Sequence, residues 1–376
     1  MAEETEQNRL GSLDVFRGMT IAGMVLVNNP GTWSAIYPPL KHAEWHGITP
    51  TDYIFPFFLF IVGVAIPLAL GRRVDEGGIT KEVYLKILRR TALIFLLGLF
   101  LAAFPYFDFT NLRIPGVLQR IAVCYLVASL IFIHTNWKQH TIIGVSLLFI
   151  YWILMTTIAV PNCEITTIDD KACNLAAYLD RTIFGENHIW RSAKVFDPEG
   201  ILSTIPAIVT TISGVLTGIW LKTTRTDLEK VSGMFFFGIV LTTIGWCWHF
   251  ILPINKSLWT SSYVVYTSGI ALCFLGFCYW LIDIKGYKKW TKPFVIFGVN
   301  ALALFVFSGL LARIMGVIKV TGAEGKEVSL QKWIFESVFL PFAAPINASL
   351  MYAIGYIFLW LFLMWLLYRK RIFIKV

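Results

Sequence analysis

Two histidines and an aspartate stand in a short polar stretch directly before a very apolar run. His42 and His46 lie in Lys41-His-Ala-Glu-Trp-His-Gly47, and Asp52 opens the run that continues Tyr-Ile-Phe-Pro-Phe-Phe. Histidine changes its charge near neutral pH, and a neighbouring carboxylate can hold an imidazole in one tautomer. These residue types predict general-base chemistry, with His42 as the base and Asp52 as the residue that orients it.

Asn28 is the third candidate of this group. It ends the first apolar segment, whose far end we expect at the membrane face that also carries His42, and an amide can donate to a developing oxyanion. Structural roles stay open for all three residues: Asn28 can end a helix, Asp52 can cap the next one, and His42 can be a solvated loop residue. His46 competes with His42 as the base.

These residues belong to a chain with the composition of a membrane protein. Of its 376 residues, 57% are hydrophobic and 15% charged, and the mean hydropathy is +0.68. Apolar runs of about 20 residues, the length that crosses ~30 Å of hydrocarbon, recur ten times. We predict an all-α, polytopic integral membrane helix bundle with spans at 13–30, 52–71, 88–105, 115–133, 141–160, 201–221, 232–252, 262–283, 294–314 and 346–368.

The net charge of +9 is distributed unevenly over the loops between these spans. With the amino terminus in the cytoplasm, 19 Lys and Arg residues, Arg9 and Lys375 among them, fall on the cytoplasmic side and 10 fall in the opposite loops. This is the asymmetry that the positive-inside rule describes. We therefore expect both termini in the cytoplasm and a lipid bilayer, not a nucleic acid, as the partner of the basic face. The acidic first residues predict an uncleaved first span.

The chain contains no internal repeat or linker, which predicts a single membrane domain over residues 1–376. Its extracytoplasmic loops, 29–51, 161–200 and 317–345, are long enough to form a vestibule. Cys163 and Cys173 lie together in the second loop, on the oxidising side, and we predict a disulfide between them. In the third loop, the apolar spacing of residues 328–342 predicts a helix at the membrane interface.

Charged residues within the spans are further candidates, because an ionisable side chain in a bilayer is expensive to keep there. Asp14 and Arg17 lie three apart on one helix face, where they form either a structural ion pair or an anchor for an anionic ligand from the cytoplasm. Arg120 lies about two turns, roughly 10 Å, deeper than Arg113. At that depth it needs an acidic partner or a bound anion.

The remaining candidates are polar residues at the ends of spans. Asp197 and Glu199 either start the sixth span or form a carboxylate pair that receives a cationic or hydroxylated sugar. Asn255, Lys256 and Asn300 are each more readily explained as structural. The histidines are scattered and no metal-ligand or phosphate-loop motif is present, so we predict no metal site.

Several motifs, taken in order, resemble the heparan-α-glucosaminide N-acetyltransferase family of transmembrane acyltransferases and its bacterial members. They are Arg9-Leu-Gly-Ser-Leu-Asp-Val-Phe-Arg-Gly18, Met24-Val-Leu-Val-Asn28, Lys41-His-Ala-Glu-Trp-His-Gly47 with Asp52 and Phe55-Pro-Phe-Phe, Arg113-Ile-Pro-Gly-Val-Leu-Gln-Arg120, Asp197-Pro-Glu-Gly-Ile-Leu, Pro253-Ile-Asn-Lys-Ser-Leu-Trp and Gly298-Val-Asn300. The sequence departs from the lysosomal member at His46, where that member has Asn, and in a longer, Pro-rich loop between Asn28 and His42.

The resemblance implies transfer of acetyl from cytoplasmic acetyl-CoA to the amine of a terminal glucosamine on the far side of the membrane. The family's catalytic histidine falls on His42, as base or acetyl carrier, with Asn28 and Asp52 at the matching positions. The acceptor is then an amino sugar or an oligosaccharide derived from a glycosaminoglycan such as heparan sulfate. The resemblance also implies a homodimer in the bacterial inner membrane, with His42 on the periplasmic side.

The other candidates divide between the two substrates under this reading. We expect four residues to contact acetyl-CoA: Arg17, Asp14, Arg120 and Asn300. We expect five to contact the acceptor: Trp45, Asp197, Glu199, Asn255 and Lys256. Two other functions stay open, a sugar or oligosaccharide transporter with a charge relay and an O-acyltransferase of an envelope glycan.

Overall fold

The computed structural model describes residues 10–322 and 325–374, so Arg9 and Lys375 lie outside it. Within these ranges the regular secondary structure is helical apart from one short hairpin, which confirms the all-α prediction. The helices are α1 Gly11–Asn28, α2 Ile54–Asp75, α3 Lys81–Ala103, α4 Val117–His134, α5 Trp137–Thr157, α6 Leu175–Phe184, α7 Ile201–Leu221, α8 Asp227–His249, α9 Ser261–Cys278, α10 Lys292–Val299, α11 Ala301–Val317, α12 Leu330–Ile334 and α13 Pro345–Arg369. Strands β1 Lys319–Thr321 and β2 Glu327–Ser329 pair antiparallel.

Seven of the described helices are long and apolar enough to cross a membrane: α2 with its preceding turn, α4, α5, α7, α8, α9 with its continuation to Ile284, and α13. The number becomes eight if α10 and α11, which meet at an angle of 71°, form one bent span. The chain is therefore a helical membrane protein. The expected spans 13–30 and 88–105 are helical as α1 and α3 but do not belong to this set, and the count of ten stays a prediction.

Two of the expected extracytoplasmic loops contain helices. The short helix α6 lies within 161–200, and the interfacial helix predicted at 328–342 begins at Leu330 as α12 and continues in irregular helical turns to Phe342. Cys163 and Cys173 are joined by a disulfide, which confirms that prediction.

The described chain divides into two compact units of contacts. The first unit contains residues up to 42, 49–54 and the part after 276, and the second contains 43–48 and 55–276. This division does not test the predicted single membrane domain, because two such units can belong to one domain.

In the first unit, α1 and α10 approach each other so closely that two glycines are required. A Cβ on Gly18 would lie 1.8 Å from the carbonyl oxygen of Phe294, and one on Gly298 would lie 2.2 Å from that of Asp14. Both distances are far inside van der Waals contact, so any larger residue would push the helices apart. The Gly298-Val-Asn300 motif therefore includes a packing position against α1.

In the second unit, α7 is the central helix and packs against α4, α5 and α6. It also meets α2 closely, because a Cβ on Gly63 would lie 2.0 Å from the carbonyl oxygen of Thr211. Helix α8 exposes large apolar side chains such as Phe236, Ile239 and Trp246. Exposed aromatic and aliphatic residues of this kind suit a lipid-facing helix.

Candidate active site

His42 and Asp52 form the predicted pair. His42 Nδ1 lies 2.6 Å from Asp52 Oδ1, and 49% of the His42 side chain is exposed against 1% of the Asp52 side chain. An ionised carboxylate can only accept hydrogen bonds, so the proton of the neutral imidazole lies on Nδ1 and the lone pair on Nε2. The geometry suits a base that is oriented by a buried acid.

The local fold explains why Asp52 is held so firmly. It lies in the turn Pro50–Tyr53 that leads into α2, and its Oδ2 accepts hydrogen bonds from the backbone N–H and the hydroxyl of Thr49, both at 3.0 Å. The carbonyl of Lys41 lies 2.6 Å from the same hydroxyl oxygen and shares its single proton with Asp52. One carboxylate oxygen therefore serves the helix start and the other serves His42, so capping and chemistry are not alternatives at Asp52.

His46 has different surroundings. Its Nε2 lies 2.9 Å from Asp169 Oδ1, and its Nδ1 lies 3.3 Å from the Nδ2 of Asn255. Both ring nitrogens are therefore engaged by side chains of the second unit. This favours His42 over His46 as the base.

Asn28 is the last residue of α1 and its side chain is exposed. Within the described residues, no hydrogen bond links its amide to His42 or Asp52. Its neighbour Asn29 is buried and donates to the carbonyl of Val25 at 2.9 Å, which is a structural role. Asn28 therefore carries no such structural bond, and its catalytic role stays a prediction.

Asp197 and Glu199 are both bound by Arg113. Arg113 Nε and Nη2 donate to the two oxygens of Asp197 at 2.8 and 2.6 Å, and Nη2 also donates to Glu199. Burial disfavours the charged guanidinium, but the charges of Glu199 and Asp197 outweigh it, so the pKa of Arg113 is raised. Burial acts against the Glu199 carboxylate as well, yet the Arg113 charge lowers its pKa below the ordinary value. The carboxylate pair is an ion-paired cluster at the start of α7.

Arg120 is 2% exposed and has no carboxylate at hydrogen-bond distance among the described residues. Its Nη2 donates to the carbonyl of Gly200 at 3.1 Å and also to the hydroxyl of Ser203, and its guanidinium lies 5.1 Å from the ring centre of Trp259. Its Nε and Nη1 have no hydrogen-bond partner in the described part of the chain. Buried guanidinium N–H groups without a hydrogen-bond partner could donate to the oxygens of a bound ligand.

Asp14 and Arg17 of α1 form the ion pair that was one of the two predictions from their spacing, with Arg17 Nη1 at 3.1 Å from Asp14 Oδ1. Asn300, at the bend between α10 and α11, is buried and holds the carboxyl-terminal tail. Its Nδ2 donates to the carbonyl of Ile372 at 3.1 Å, and its Oδ1 accepts from the N–H of Ile374 at 2.9 Å. These contacts give Asn300 a structural role.

Asn255 and Lys256 lie in the turn before α9. Asn255 is fully buried, and its Oδ1 accepts from the N–H of Leu258 at 2.9 Å, which leaves Nδ2 for His46. The charge of Lys256 contributes to the lowered pKa of Glu199. The turn is therefore linked both to His46 and to the Arg113 cluster.

Asp180 is a buried carboxyl at the start of α7 that the sequence analysis did not single out. It accepts from the N–H of Ile201 at 3.0 Å and so caps α7 from α6. Burial, supported by the nearby charge of Asp197, raises the pKa of Asp180 to about 7. A sequence signal existed, because Asp180 falls on the same face of α6 as the buried Ala176 and Ala177.

Trp259, Ser203 and Asp169 were also missed as partners of the predicted residues. Each lies far along the chain from the residue that it contacts, so no local pattern could have paired them. Among residues 10–322 and 325–374, no group of three or more His, Cys, Asp or Glu side chains is placed to hold a metal ion.

The fold is that of a helical membrane protein, and its candidate acid–base site pairs the half-exposed His42 with the buried Asp52. Residues 9–180 match the sequence model of the family described as "Heparan-alpha-glucosaminide N-acetyltransferase, catalytic". The heparan-alpha-glucosaminide N-acetyltransferases of Mus musculus and Homo sapiens are each 30% identical to this chain, over 69% of its length and 47% of theirs. The chain belongs to the heparan-α-glucosaminide N-acetyltransferase family, and its match spans about half the length of these curated relatives.

Proposed function

We propose that this protein is a transmembrane acetyltransferase that moves acetyl from cytoplasmic acetyl-CoA to the amine of a terminal glucosamine-type sugar on the extracytoplasmic side. The observation that carries the proposal is the 2.6 Å contact between His42 Nδ1 and Asp52 Oδ1. The family relationship supports the reaction type, because its named members are N-acetyltransferases.

His42 acts on the acceptor amine through its Nε2. As the amine nitrogen attacks the thioester carbonyl, Nε2 takes the proton from that nitrogen, and Asp52 stabilises the imidazolium through Nδ1–H. The attack forms the C–N bond and an oxyanion, and the C–S bond breaks when this tetrahedral intermediate collapses. His42 returns the proton to the departing thiolate, which leaves an N-acetyl sugar, free CoA and neutral His42.

The same atoms support a two-step route. Nε2 of His42 attacks the thioester carbonyl, CoA leaves as the thiolate, and the acetyl group on the imidazole is transferred to the amine in a second step. The proton that the amine loses to solvent in this step balances the proton that the CoA thiolate takes up. Asn28 donates its amide N–H to the oxyanion in either route. Its exposed position at the end of α1 supports this role.

Four residues, each considered in its own unit, are assigned to acetyl-CoA. Arg17, oriented by Asp14, supplies a cationic donor that suits phosphate, and the orphaned Nε and Nη1 of Arg120 suit the carbonyl oxygens of the pantetheine arm. Asn300 contributes by fixing the bend between α10 and α11 and the tail residues it bonds. The acceptor contacts Trp45 and the ion-paired carboxylates Asp197 and Glu199, with Asn255 and Lys256 beside them.

The finer topology belongs to the same proposal. Ten spans, both termini in the cytoplasm and His42 on the periplasmic side of a bacterial inner membrane give acetyl-CoA and acceptor opposite entrances. The basic loops support this orientation through the positive-inside rule. A homodimer is the assembly proposed from the family resemblance.

The test uses the purified protein in lipid nanodiscs with acetyl-CoA and glucosamine. We expect release of the CoA thiol that depends on glucosamine, with N-acetylglucosamine as the product. An ester product would instead favour the O-acyltransferase, and sugar uptake by proteoliposomes without any thiol release would favour the transporter. Incubation with radiolabelled acetyl-CoA and no acceptor separates the two routes, because only the two-step route labels the protein.

A further inference from the structure

A loop closed by a disulfide is fastened to the segment that follows His42. The loop comprises residues 163–173, with Cys163 and Cys173 bonded to each other at its ends. The segment comprises residues 43–48 and contains Trp45 and His46. Trp45 Nε1 donates to the carbonyl of Ile168 at 2.9 Å, and His46 Nε2 lies 2.9 Å from Asp169 Oδ1.

The hydrogen bonds around His46 determine which ring nitrogen carries the proton when the imidazole is neutral. The Oδ1 of Asn255 is used by the N–H of Leu258, so the Nδ2 group that faces His46 can only donate. His46 Nδ1 must then accept, which places the ring proton on Nε2, where it is donated to Asp169. The contacts thus hold the His46 ring in one orientation, with Nε2 towards Asp169 and Nδ1 towards Asn255.

Trp45 is fixed from several directions. Beyond its bond to Ile168, its ring lies edge-on to Phe196 with ring centres 5.1 Å apart. The ammonium group of Lys171, in the same disulfide loop, lies 5.8 Å from the centre of the Trp45 ring. The loop therefore holds Trp45 by its indole N–H and also places a cation against its ring.

The loop is itself well ordered by internal bonds. Asp170 Oδ1 accepts from the N–H groups of Ala172 and Cys173 at 2.6 and 3.1 Å, and Thr167 donates its N–H to the carbonyl of Cys173 at 3.0 Å. The hydroxyl of Thr167 donates to Asp169 Oδ2 at 3.0 Å, which aims the other oxygen at His46. The disulfide closes the framework that presents Asp169.

We propose that the disulfide loop positions Trp45 and His46 for the acceptor sugar, and that His46 is a residue that determines acceptor specificity. The inference rests on the proposed function. The segment is joined covalently to His42 at one end and to Thr49, a partner of Asp52, at the other. A rigid Trp ring suits the apolar face of a pyranose. An imidazole whose two nitrogens are engaged by Asp169 and Asn255 has no N–H left for a sulfate group, which favours an unsulfated amino sugar over a sulfated one.

The decisive comparison is between Asp169→Ala and Asp169→Asn, assayed with acetyl-CoA and either glucosamine or its 6-sulfate. Alanine removes the acceptor of the His46 proton, so we expect the glucosamine KM to rise roughly three- to tenfold while the acetyl-CoA KM stays unchanged. Asparagine still offers an oxygen to a neutral imidazole, so it should restore most of the wild-type KM. Reduction of the disulfide in the wild-type protein should raise the glucosamine KM as Asp169→Ala does.

Glu164→Gln is the matched control, since it removes a negative charge from the same exposed loop without touching Trp45 or His46. We expect this variant to keep the wild-type KM for glucosamine. We also expect the wild-type protein to prefer glucosamine over its 6-sulfate.

Three results would overturn the inference. Asp169→Ala and the reduced protein could keep the wild-type KM for glucosamine, the KM values for glucosamine and acetyl-CoA could rise together, or the sulfated sugar could be preferred. In each of those cases acetyl transfer by the wild type would still stand. If the wild type transfers no acetyl to glucosamine, the proposed function is wrong, and the inference that rests on it is wrong as well.

Discussion

The imidazole of His42 and the carboxylate of Asp52 are joined through Nδ1 and Oδ1 at 2.6 Å. Because the second oxygen of Asp52 is held by Thr49, the carboxylate cannot rotate away from the histidine without losing the start of α2. The pair is therefore preorganised by the backbone fold. Preorganisation of this kind lets a base act without rearrangement during the reaction.

Asp52→Asn should lower kcat by about 10²- to 10⁴-fold. An amide that replaces Oδ1 with an N–H donor forces His42 into the other tautomer, which removes the lone pair from Nε2. The measurement is kcat for acetyl transfer to glucosamine, taken together with the melting temperature.

Thr49→Val is the control for this substitution, because it removes a bond to Asp52 but leaves the His42 contact in place. We expect a loss of about 1 kcal/mol of stability and a much smaller change in kcat than for Asp52→Asn. Equal losses of kcat in the two variants would mean that Asp52 acts only as a cap.

Asp180→Asn should change how stability depends on pH. The folded protein raises the pKa of Asp180 from 3.8 to about 7, so this group binds a proton in the folded state that it releases on unfolding. Its contribution to the free energy of unfolding therefore falls as pH rises from about 4 to 7, by at most ~1.4 kcal/mol per pH unit. Asparagine still accepts from Ile201 and does not titrate.

Thermal melts of wild-type protein and Asp180→Asn at pH 5, 6, 7 and 8 measure this effect. The stability of the variant relative to wild type should increase up to about pH 7 and then level off. If the difference in melting temperature between wild type and Asp180→Asn is the same at all four pH values, the Asp180 carboxyl does not titrate between pH 5 and 8.

Gly298→Ala should destabilise the first unit by about 1–3 kcal/mol, because the new methyl group meets the backbone of α1 and neither helix can move aside cheaply. Gly316→Ala is the control, since a Cβ at Gly316 has open space within 4 Å. We expect that control to keep or raise the melting temperature. Similar melting temperatures for the two variants would contradict the close packing of α1 and α10.

Arg120→Lys should weaken acetyl-CoA binding roughly tenfold, because lysine keeps the charge but cannot present both orphaned guanidinium donors. Titration calorimetry with acetyl-CoA measures the Kd directly. Arg72→Lys, at an exposed arginine paired with Glu76, should leave it unchanged. An unchanged Kd for acetyl-CoA in Arg120→Lys would mean that Arg120 packs against Trp259 and does not contact acetyl-CoA.

The sequence predicted the parts of the fold that depend on local pattern. Apolar runs indicated the helices, and the positions of Cys163 and Cys173 in one loop indicated their disulfide. His42 and Asp52 were paired because the predicted topology brings the loop that carries His42 and the start of the second span to the same membrane face. Asp14 and Arg17 were paired by helical periodicity.

The missed contacts are those that only the packed chain creates. His46 meets Asn255 across a separation of 209 residues, and Arg120 meets Ser203 across 83. The sequence assigned Asn300 to acetyl-CoA, whereas the fold engages its amide with the chain's own tail. Composition alone also did not decide whether the first helix crosses the membrane. Helix α1 forms and its Asp14 is buried, yet α1 is not among the described helices that are long and apolar enough to span a bilayer.

The most direct measurement of the central claim is the turnover of His42→Ala with acetyl-CoA and glucosamine, in a preparation whose melting temperature matches the wild type. The account predicts a fall in kcat of about 10²- to 10⁴-fold, with His46→Ala keeping a kcat within a few-fold of wild type. Turnover of His42→Ala near the wild-type rate would contradict it.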